Sequence, residues 1–253
     1  MSFSNRYLDR SRAGAFGSVA LQYDRYRPAY PEALIDRLLA SSPATALDIG
    51  CGTGKVAAAL GARGLTVLGL EPDARMAQLA RAKGVNVDVA MLETWDGSGR
   101  TFDLLTSGDS WHWIDPVEGR RKAADLLNPG GVMARFWNVH EVEPSFLAAF
   151  EAVYRACAPG VTVAGGVPRS TRDATDPFAA DAAFAFCDSD TYWWSLTLTA
   201  EEWAGLVTTF SDHQQMEPER LAALLDALRA EIERLGGTVR TRSRTFVQLA
   251  RRV

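Results

Sequence analysis

The stretch that decides the fold is "LDIGCGTGKVAAAL", from Leu47 to Leu60. A short apolar run ends in three glycines that alternate with other residues, and a run of small apolar residues follows. This order is typical of a strand that passes through a glycine loop into a helix, where the backbone can approach a ligand closely. The ligand could be a phosphate, a dinucleotide or another molecule with an adenosyl end.

The spacing of the glycines tests these candidates. A phosphate-binding P-loop needs a hydroxyl after its lysine, but Val56 follows Lys55. The dinucleotide fingerprint G-x-G-x-x-G needs its third glycine at the position of Lys55. Gly50, Gly52 and Gly54 instead form a tighter loop, and the amides at the start of the next helix favour a carboxylate.

An acidic residue ends the next predicted strand. Glu71 closes "TVLGLE", about 20 residues beyond the glycine loop, where a carboxylate can accept hydrogen bonds from ribose hydroxyls. The alternative is that Glu71 is only an exposed strand end. Together the loop and the carboxylate indicate an adenosine-bearing ligand.

The pattern around the loop predicts an α/β fold. Five strands alternate with helices, which indicates a parallel sheet. These strands are predicted over residues 44–49, 66–71, 85–90, 102–107 and 131–138. A helix near 144–157, a Gly/Pro/Asp-rich stretch over 158–181 and two late strands, "TYWWSLTLT" and "TVRTRSRTFVQLA", are expected to follow.

Composition narrows the class of protein. The chain has 253 residues, 47% of them hydrophobic, and a net charge of −4, which gives no general attraction to nucleic acid or to an anionic membrane. The N-terminal residues have no apolar core, and no apolar run approaches the roughly 20 residues of a membrane span. Three cysteines lie far apart, which favours reduced thiols. We therefore expect a cytoplasmic protein.

Four motifs in order resemble the class I S-adenosylmethionine-dependent methyltransferases, closest to the small-molecule group that includes trans-aconitate methyltransferase-like enzymes. They are "LDIGCGTGK", "LGLEPDARMAQLA", "FDLLTSGDSWHWID" and "LLNPGGVMARFWN", and the resemblance covers about residues 16–140. It implies a doubly wound, seven-stranded, mostly parallel sheet of the Rossmann-like methyltransferase type. It also implies an antiparallel final strand, an N-terminal helical lid and an insertion after strand five.

The resemblance further implies a single methyltransferase domain over residues 1–253. Its expected parts are a lid (1–40), a cofactor-binding core (41–140), a variable segment that covers the substrate (141–200), and C-terminal helices with the last strand (201–253).

The S-adenosylmethionine-binding residues implied by the resemblance lie in the lid and at the strand ends. They are Tyr23, Arg27, Asp48, Gly50, Cys51, Gly52, Gly54, Glu71, Pro72, Met76, Leu92, Glu93 and Ser107. Asp48 and the glycine backbone would hold the methionine end, and Glu71 would hold the ribose. Tyr23 and Arg27 would cap the cofactor, or they would belong to a helix that packs aromatic rings on the sheet rim with solvated arginines.

The implied activity is transfer of a methyl group to O, N or C of a small molecule, and the alternative is a cofactor-binding protein of the same fold without transfer. His112 is the candidate catalytic residue at the carboxyl ends of the strands. It could act as a general base, position the acceptor or only pack beside tryptophans, and positioning is preferred narrowly over base. His140 is a second, weaker candidate.

Individual residues also bear on a metal site, on a nucleic-acid partner and on the kind of substrate. Asp109 and Asn138 could meet across strand ends, but two oxygen ligands are thin evidence for Mg²⁺, so no metal is predicted. The motif of nucleic-acid base methyltransferases is absent after strand four, so no nucleic-acid partner is expected. The alternating arginines of "RTRSR" could attract an acidic substrate or form a solvated strand face. The tryptophans could wall a cavity or pack in the core. A monomer or a homodimer is expected.

Overall fold

The structure of the protein is a computed structural model that describes residues 3–166, 176, 178–179 and 181–253. Much of the predicted Gly/Pro/Asp-rich stretch over 158–181 therefore lies outside the described residues.

Within the described residues, seven strands form one sheet in the order β3-β2-β1-β4-β5-β7-β6. Strands β1 to β5 pair in parallel, and β7 runs antiparallel to both β5 and β6. Their bounds are β1 (Thr45–Ile49), β2 (Thr66–Leu70), β3 (Asn86–Asp88), β4 (Phe102–Gly108), β5 (Leu127–Val142), β6 (Phe184–Thr199) and β7 (Thr238–Arg252). The predicted mostly parallel α/β sheet with an antiparallel final strand is confirmed.

Helices connect the strands and lie around the sheet. The α-helices are α1 (Arg10–Ala13), α2 (Ala20–Tyr26), α3 (Glu32–Leu39), α4 (Lys55–Gly61), α5 (Ala74–Ala82), α6 (Pro116–Leu126), α7 (Pro144–Cys157), α8 (Ala200–Thr208) and α9 (Pro218–Arg234). Short 3-10 helices cover Phe3–Leu8, Phe16–Val19 and Trp111–Trp113. The predicted helix at 144–157 is confirmed.

Side-chain caps fix where several of these helices begin. The carboxylate of Asp73 accepts the amides of Arg75 and Met76, so α5 starts directly after β2 and Glu71. Thr199 and Glu202 form a reciprocal capping box at the start of α8. Such caps satisfy amides that have no partner within the helix.

Two strand boundaries differ from the prediction because pairing partners set them. The strand predicted over 85–90 ends at Asp88, since its only neighbour among the described strands, β2, ends at Leu70 opposite it. The strand predicted over 131–138 extends to Val142 because β7 pairs with it along that whole length. That partner lies about a hundred residues later in the chain.

The N-terminal and C-terminal helices meet above the glycine loop. A Cβ on Gly205 of α8 would lie 2.5 Å from the ring of Tyr26, so α2 and α8 approach closely because this residue is glycine. Trp203 of α8 is fully buried in the apolar cluster that α7, α8 and α9 share. Helices α7, α8 and α9 thus share a core of their own.

Candidate functional site

All three loop glycines have backbone conformations that other residues rarely adopt. Their φ angles are +65° at Gly50, +56° at Gly52 and +81° at Gly54. A Cβ on Gly50 would lie 2.6 Å from Cβ of Ser110, and one on Gly54 would lie 2.8 Å from Cβ of Ala80. A Cβ on Gly52 would meet only Met76 Cε, at 3.5 Å. The loop is therefore packed on two sides and open at Gly52.

Two buried carboxylates flank this loop. Asp48 accepts a hydrogen bond of 2.7 Å from Thr106 Oγ1, and burial raises its pKa to about 6. Glu71 accepts the amides of Gly52 at 2.9 Å and Asp73 at 3.0 Å, and burial raises its pKa to about 7. With 8% of its surface exposed, Glu71 is not an exposed strand end.

Helix α2 is clamped onto the loop by two lysines. Lys83 forms an ion pair with the carboxylate of Asp24 and donates to the carbonyl of Thr53 at 2.8 Å. Lys55 donates to the carbonyl oxygen of Asp24 at 2.7 Å. Because Thr53 belongs to the glycine loop, these bonds tie the N-terminal segment directly to it.

Arg27 follows α2 and bridges it to the end of α8. Its Nε donates to Thr209 Oγ1 at 2.8 Å and its Nη2 to the Thr209 carbonyl at 3.0 Å. Its guanidinium also lies 4.5 Å from the ring centre of Phe210 and 5.3 Å from that of Tyr23. Arg27 is thus held by other parts of the fold, which argues against the alternative of a solvated arginine.

A cavity that is partly open to solvent lies between the loop, α2 and the end of β5. Six of the predicted cofactor-binding residues line it, namely Tyr23, Arg27, Asp48, Gly50, Cys51 and Gly52. Asp109, Asn138 and His140 line the same cavity.

The other predicted site residues do not line this cavity. They are Gly54, Glu71, Pro72, Met76, Leu92, Glu93, Ser107 and His112. Met76 and Leu92 are buried, and Pro72 is exposed. Glu93 accepts hydrogen bonds of 3.0 Å from Arg10 Nη2 and from the Asp115 amide, so the fold already uses its carboxylate. Their contacts with a cofactor stay predictions.

His112 lies in the 3-10 helix after β4, half-buried beside aromatic rings. Its Nδ1 accepts a hydrogen bond of 3.3 Å from Trp137 Nε1, and its ring centre lies 4.9 Å from that of Trp113. Burial, with a smaller contribution from Arg6, lowers its pKa to about 3. An Nδ1 that accepts from an indole is engaged in the fold, which favours positioning over proton abstraction at that atom.

Asp109, considered from the sequence only as a metal ligand that could meet Asn138, lines the cavity and does contact Asn138. It has a φ of +53°, unusual for a residue with a side chain. Tyr30 Oη donates to its Oδ2 at 2.9 Å and the Asn138 amide donates to its Oδ1 at 3.2 Å. The sequence signal was its place just past a strand end, and nothing in "RPAYP" identified Tyr30 as its partner.

The alternating arginines of β7 and Trp193 of β6 lie on the outer face of the sheet. Arg240 and Arg242 are exposed, and the guanidinium of Arg242 stacks 4.1 Å from the ring centre of Trp193, which is 52% exposed. Trp194 alternates inward and donates to Thr245 Oγ1 at 3.0 Å. Arg240 and Arg242 therefore lie on a solvated strand face, one of the two alternatives, whereas the side chain of Arg244 is only 19% exposed and pairs with Glu141 at 3.7 Å.

In the described part of the chain, no group of three His, Cys, Asp or Glu side chains could hold a metal ion. No helix in that part is long and apolar enough to cross a membrane. Cys51 and Cys157 are free thiols, and the side chain of Cys187 lies outside the described part.

Comparison with known proteins identifies relatives over about half of the chain. An uncharacterized methyltransferase of Mycobacterium tuberculosis is 35% identical over 135 residues, which cover 52% of this chain and 55% of the relative. A trans-aconitate 2-methyltransferase of Methylobacterium radiotolerans is 33% identical over 116 residues, 44% of each chain. The matched regions thus span about half the length of these relatives.

A solved structure and a family model extend the likeness. A candidate type II methyltransferase from Anaeromyxobacter dehalogenans has a TM-score of 0.63, with 89% of this chain and 98% of that chain covered. At 20% identity it shows the fold alone. The family model described as "Methyltransferase domain" matches residues 23–228, most of the chain. Because this model covers most of the chain, the chain belongs to the methyltransferase domain family.

Proposed function

We propose that this protein transfers a methyl group from S-adenosylmethionine to a small-molecule acceptor. The observation that carries the proposal is the left-handed glycine loop flanked by two buried carboxylates, Asp48 and Glu71. One matched relative is named for trans-aconitate, a small molecule, which supports an acceptor of that size.

The residues around the loop fit this cofactor. The space beside Gly52 lets a ligand approach the backbone, since a Cβ there would meet only the end of a flexible side chain. Asp48 lines the cavity and can receive a cationic amino group. Glu71 has its two oxygens on backbone amides and can accept from ribose hydroxyls through their remaining lone pairs. Met76 and Leu92 are buried apolar side chains that would border the adenine.

S-adenosylmethionine supplies a methyl group on a positively charged sulfur, which is already activated toward attack. The tasks left to the protein are positioning and the exclusion of water. The two lysine contacts to Asp24 hold α2 over the loop and so cover the cofactor. His112 and Trp137, joined by a hydrogen bond, would fix the orientation of the acceptor.

We also propose the domain organisation, location and partners of the protein. The chain acts as one domain over residues 1–253, with residues 1–40 as the lid and 141–200 over the substrate. It works in the cytoplasm as a monomer or homodimer. It has no nucleic-acid partner, in keeping with its net charge of −4.

Two measurements test the proposal. Calorimetry should show S-adenosylhomocysteine, the demethylated cofactor, binding with micromolar affinity and should show no binding of NAD or ATP. A metabolite panel scored by S-adenosylhomocysteine release should then identify the acceptor. A preference for NAD would refute the cofactor assignment, and tight binding without turnover on any acceptor would favour the non-transferring alternative.

A further inference from the structure

Strand β7 presents a stripe of buried hydroxyls to β5. Thr241, Ser243 and Thr245 are 3% exposed or less, while the arginines between them face outward. A hydroxyl group can accept a hydrogen bond from one neighbour and donate one to the next, so a row of hydroxyls can fix the direction of a chain of hydrogen bonds. Two hydrogen-bonded chains run through this stripe, and each ends on a β5 side chain that lines the cavity.

The first chain ends on His140. The Leu196 amide donates to Thr241 Oγ1 at 3.3 Å, Thr241 Oγ1 lies 2.8 Å from Ser243 Oγ, and Ser243 Oγ lies 2.9 Å from His140 Nδ1. The amide uses one lone pair of Thr241 Oγ1, and the Thr241 hydrogen finds an acceptor within this chain of groups when it points at Ser243 Oγ. The hydrogen of Ser243 then points at Nδ1. Nδ1 accepts, and a neutral His140 carries its proton on Nε2.

The second chain ends on Asn138. The indole Nε1 of Trp194, which can only donate, lies 3.0 Å from Thr245 Oγ1. The hydroxyl of Thr245 therefore donates onward to Asn138 Oδ1, at 2.6 Å. This fixes the orientation of the amide, because its oxygen is already used. The Nδ2 group, with two N–H donors, is left for a ligand.

His140 lines the cavity and carries a ring nitrogen, Nε2, that has no hydrogen-bond partner among the described residues. The residue is 8% exposed. Burial, with a smaller contribution from Arg27, lowers its pKa to about 3, so the ring is neutral near pH 7. A buried N–H without a partner costs free energy unless a ligand accepts from it.

We propose that Asn138 Nδ2 and His140 Nε2 form a donor pair that binds a carboxylate group of the methyl acceptor. The inference rests on the proposed function for the presence of an acceptor in this cavity. Arg27 lines the same cavity and adds positive charge. An amine or a cation would find no acceptor on either β5 side chain, so the pair selects for an acceptor oxygen, and the charge of Arg27 favours an anionic one. In this role His140 is a binding residue and takes no proton from the acceptor.

Asp109 lines the cavity as well and could repel an anion. Both of its oxygens already accept hydrogen bonds, from Tyr30 and from the Asn138 amide. Burial also raises its pKa, although Arg27 opposes that shift. The Asp109 carboxylate is thus already hydrogen-bonded within the protein, whereas Asn138 Nδ2 and His140 Nε2 remain for the ligand.

The tautomer of His140 is the decisive measurement and needs neither cofactor nor acceptor. The chain has three histidines, so ¹⁵N-histidine NMR can assign each ring with the help of His140→Gln. We expect Nε2 of His140 to be protonated and Nδ1 to be bare in the wild type. Ser243→Ala should lose this preference, and the control Ser195→Ala, on the exposed face of β6, should keep it. Protonation at Nδ1 in the wild type would overturn the donor pair.

The ligand class is tested with acetate and its neutral analogue acetamide on protein saturated with S-adenosylhomocysteine. Acetate should shift the His140 Nε2 signal, and acetamide at the same concentration should not. His140→Phe should weaken acetate binding about 10- to 100-fold, the range for a hydrogen bond to a charged group. Equal response to both probes, or none to acetate, would overturn the carboxylate assignment. Failure of S-adenosylhomocysteine to bind would instead count against the proposed function.

Discussion

The parallel and antiparallel parts of the sheet build their sides of the cavity from different chemistry. At the ends of β1 and β2, the left-handed glycine loop and two buried carboxylates form the proposed cofactor side, and the responsible residues lie within one strand–helix–strand unit. At β5, side chains face the ligand, and hydroxyls of β7 about a hundred residues later set their polarity. The first side depends on backbone conformation, and the second depends on cross-strand partners.

This difference separates cofactor binding, which depends on the glycine loop, from acceptor selection, which depends on the side chains of β5. A backbone loop that binds the invariant part of a cofactor tolerates little change, because its geometry is the binding site. A hydroxyl stripe can be altered one residue at a time without moving a strand. Variants of the first kind should therefore abolish binding, whereas variants of the second kind should change which acceptor is used.

The largest effect is expected from Gly52→Val. Gly52 has a φ of +56°, and a branched side chain both resists this conformation and fills the space that a ligand needs. We expect calorimetry to detect no binding of S-adenosylhomocysteine. The protein should remain folded, because the nearest atom to the added Cβ is the flexible end of Met76.

Gly64→Val is the matched control for backbone strain. Gly64 has a φ of +88° and no atom within 4 Å of an added Cβ, but it lies after α4, away from the cavity. It should lower stability to a similar extent while cofactor affinity is retained. Equal loss of binding in both variants would assign the effect to strain and not to the loop.

The contrast between the glycine loop and the β5–β7 pair also explains which parts of the fold and the site could be predicted from the sequence. The glycine loop and Glu71 were identifiable because short-range spacing encodes a strand–loop–helix turn and the next strand end. The mostly parallel pairing of the first five strands followed from alternating strands and helices, whereas their order in the sheet was not predicted. The roles of Ser243 and Thr245 were not identifiable, because a buried hydroxyl stripe and a solvated face look alike until the register with β5 is known. For the same reason the length of β5 was underestimated.

Glu71→Gln should change how the stability of the ligand-free protein depends on pH. Burial raises the pKa of Glu71 to about 7 from an ordinary value near 4.5, so the folded protein binds the proton more tightly than the unfolded chain. Stability of the ligand-free protein should therefore fall as pH rises from about 4.5 to 7, by about 3 kcal/mol from this group. The variant should lose this part of the slope in thermal melts, leaving the part from Asp48, whose pKa is also raised.

Cofactor binding should show the opposite trend with pH. Ribose hydroxyls donate to the ionised carboxylate, so the affinity of the wild type for S-adenosylhomocysteine should rise as pH passes about 7. In Glu71→Gln the affinity should be about 10- to 100-fold lower at pH 8 and nearly independent of pH. Glu201→Gln, which changes an exposed carboxylate on α8, serves as the control. A wild-type affinity that is flat between pH 6 and 8 would contradict the role of Glu71.

His112→Ala should have a smaller effect. His112 follows β4, which lies between the β1 and β5 sides of the cavity. The substitution leaves the Trp137 indole without its acceptor, so we expect a loss of about 1–2 kcal/mol in the free energy of unfolding. Cofactor affinity should stay within about twofold. If His112 positions the acceptor, KM for that acceptor should rise while the pH–rate profile keeps its shape. A fall in kcat with loss of a limb in that profile would restore the general-base alternative.

The smallest effect is expected from Arg242→Gln on the outer face of β7. Arg242 stacks on the exposed ring of Trp193, and its neighbours Thr241 and Ser243 point to the opposite face of the strand. An exposed stack contributes about 0.5–1 kcal/mol at most, so stability should change by less than that amount. Cofactor affinity and the response of His140 to acetate should both be unchanged, because no polar chain to β5 passes through the guanidinium. A clear loss of acetate binding in this variant would mean that the arginine face attracts the acceptor, and the buried hydroxyls would no longer account for its selection alone.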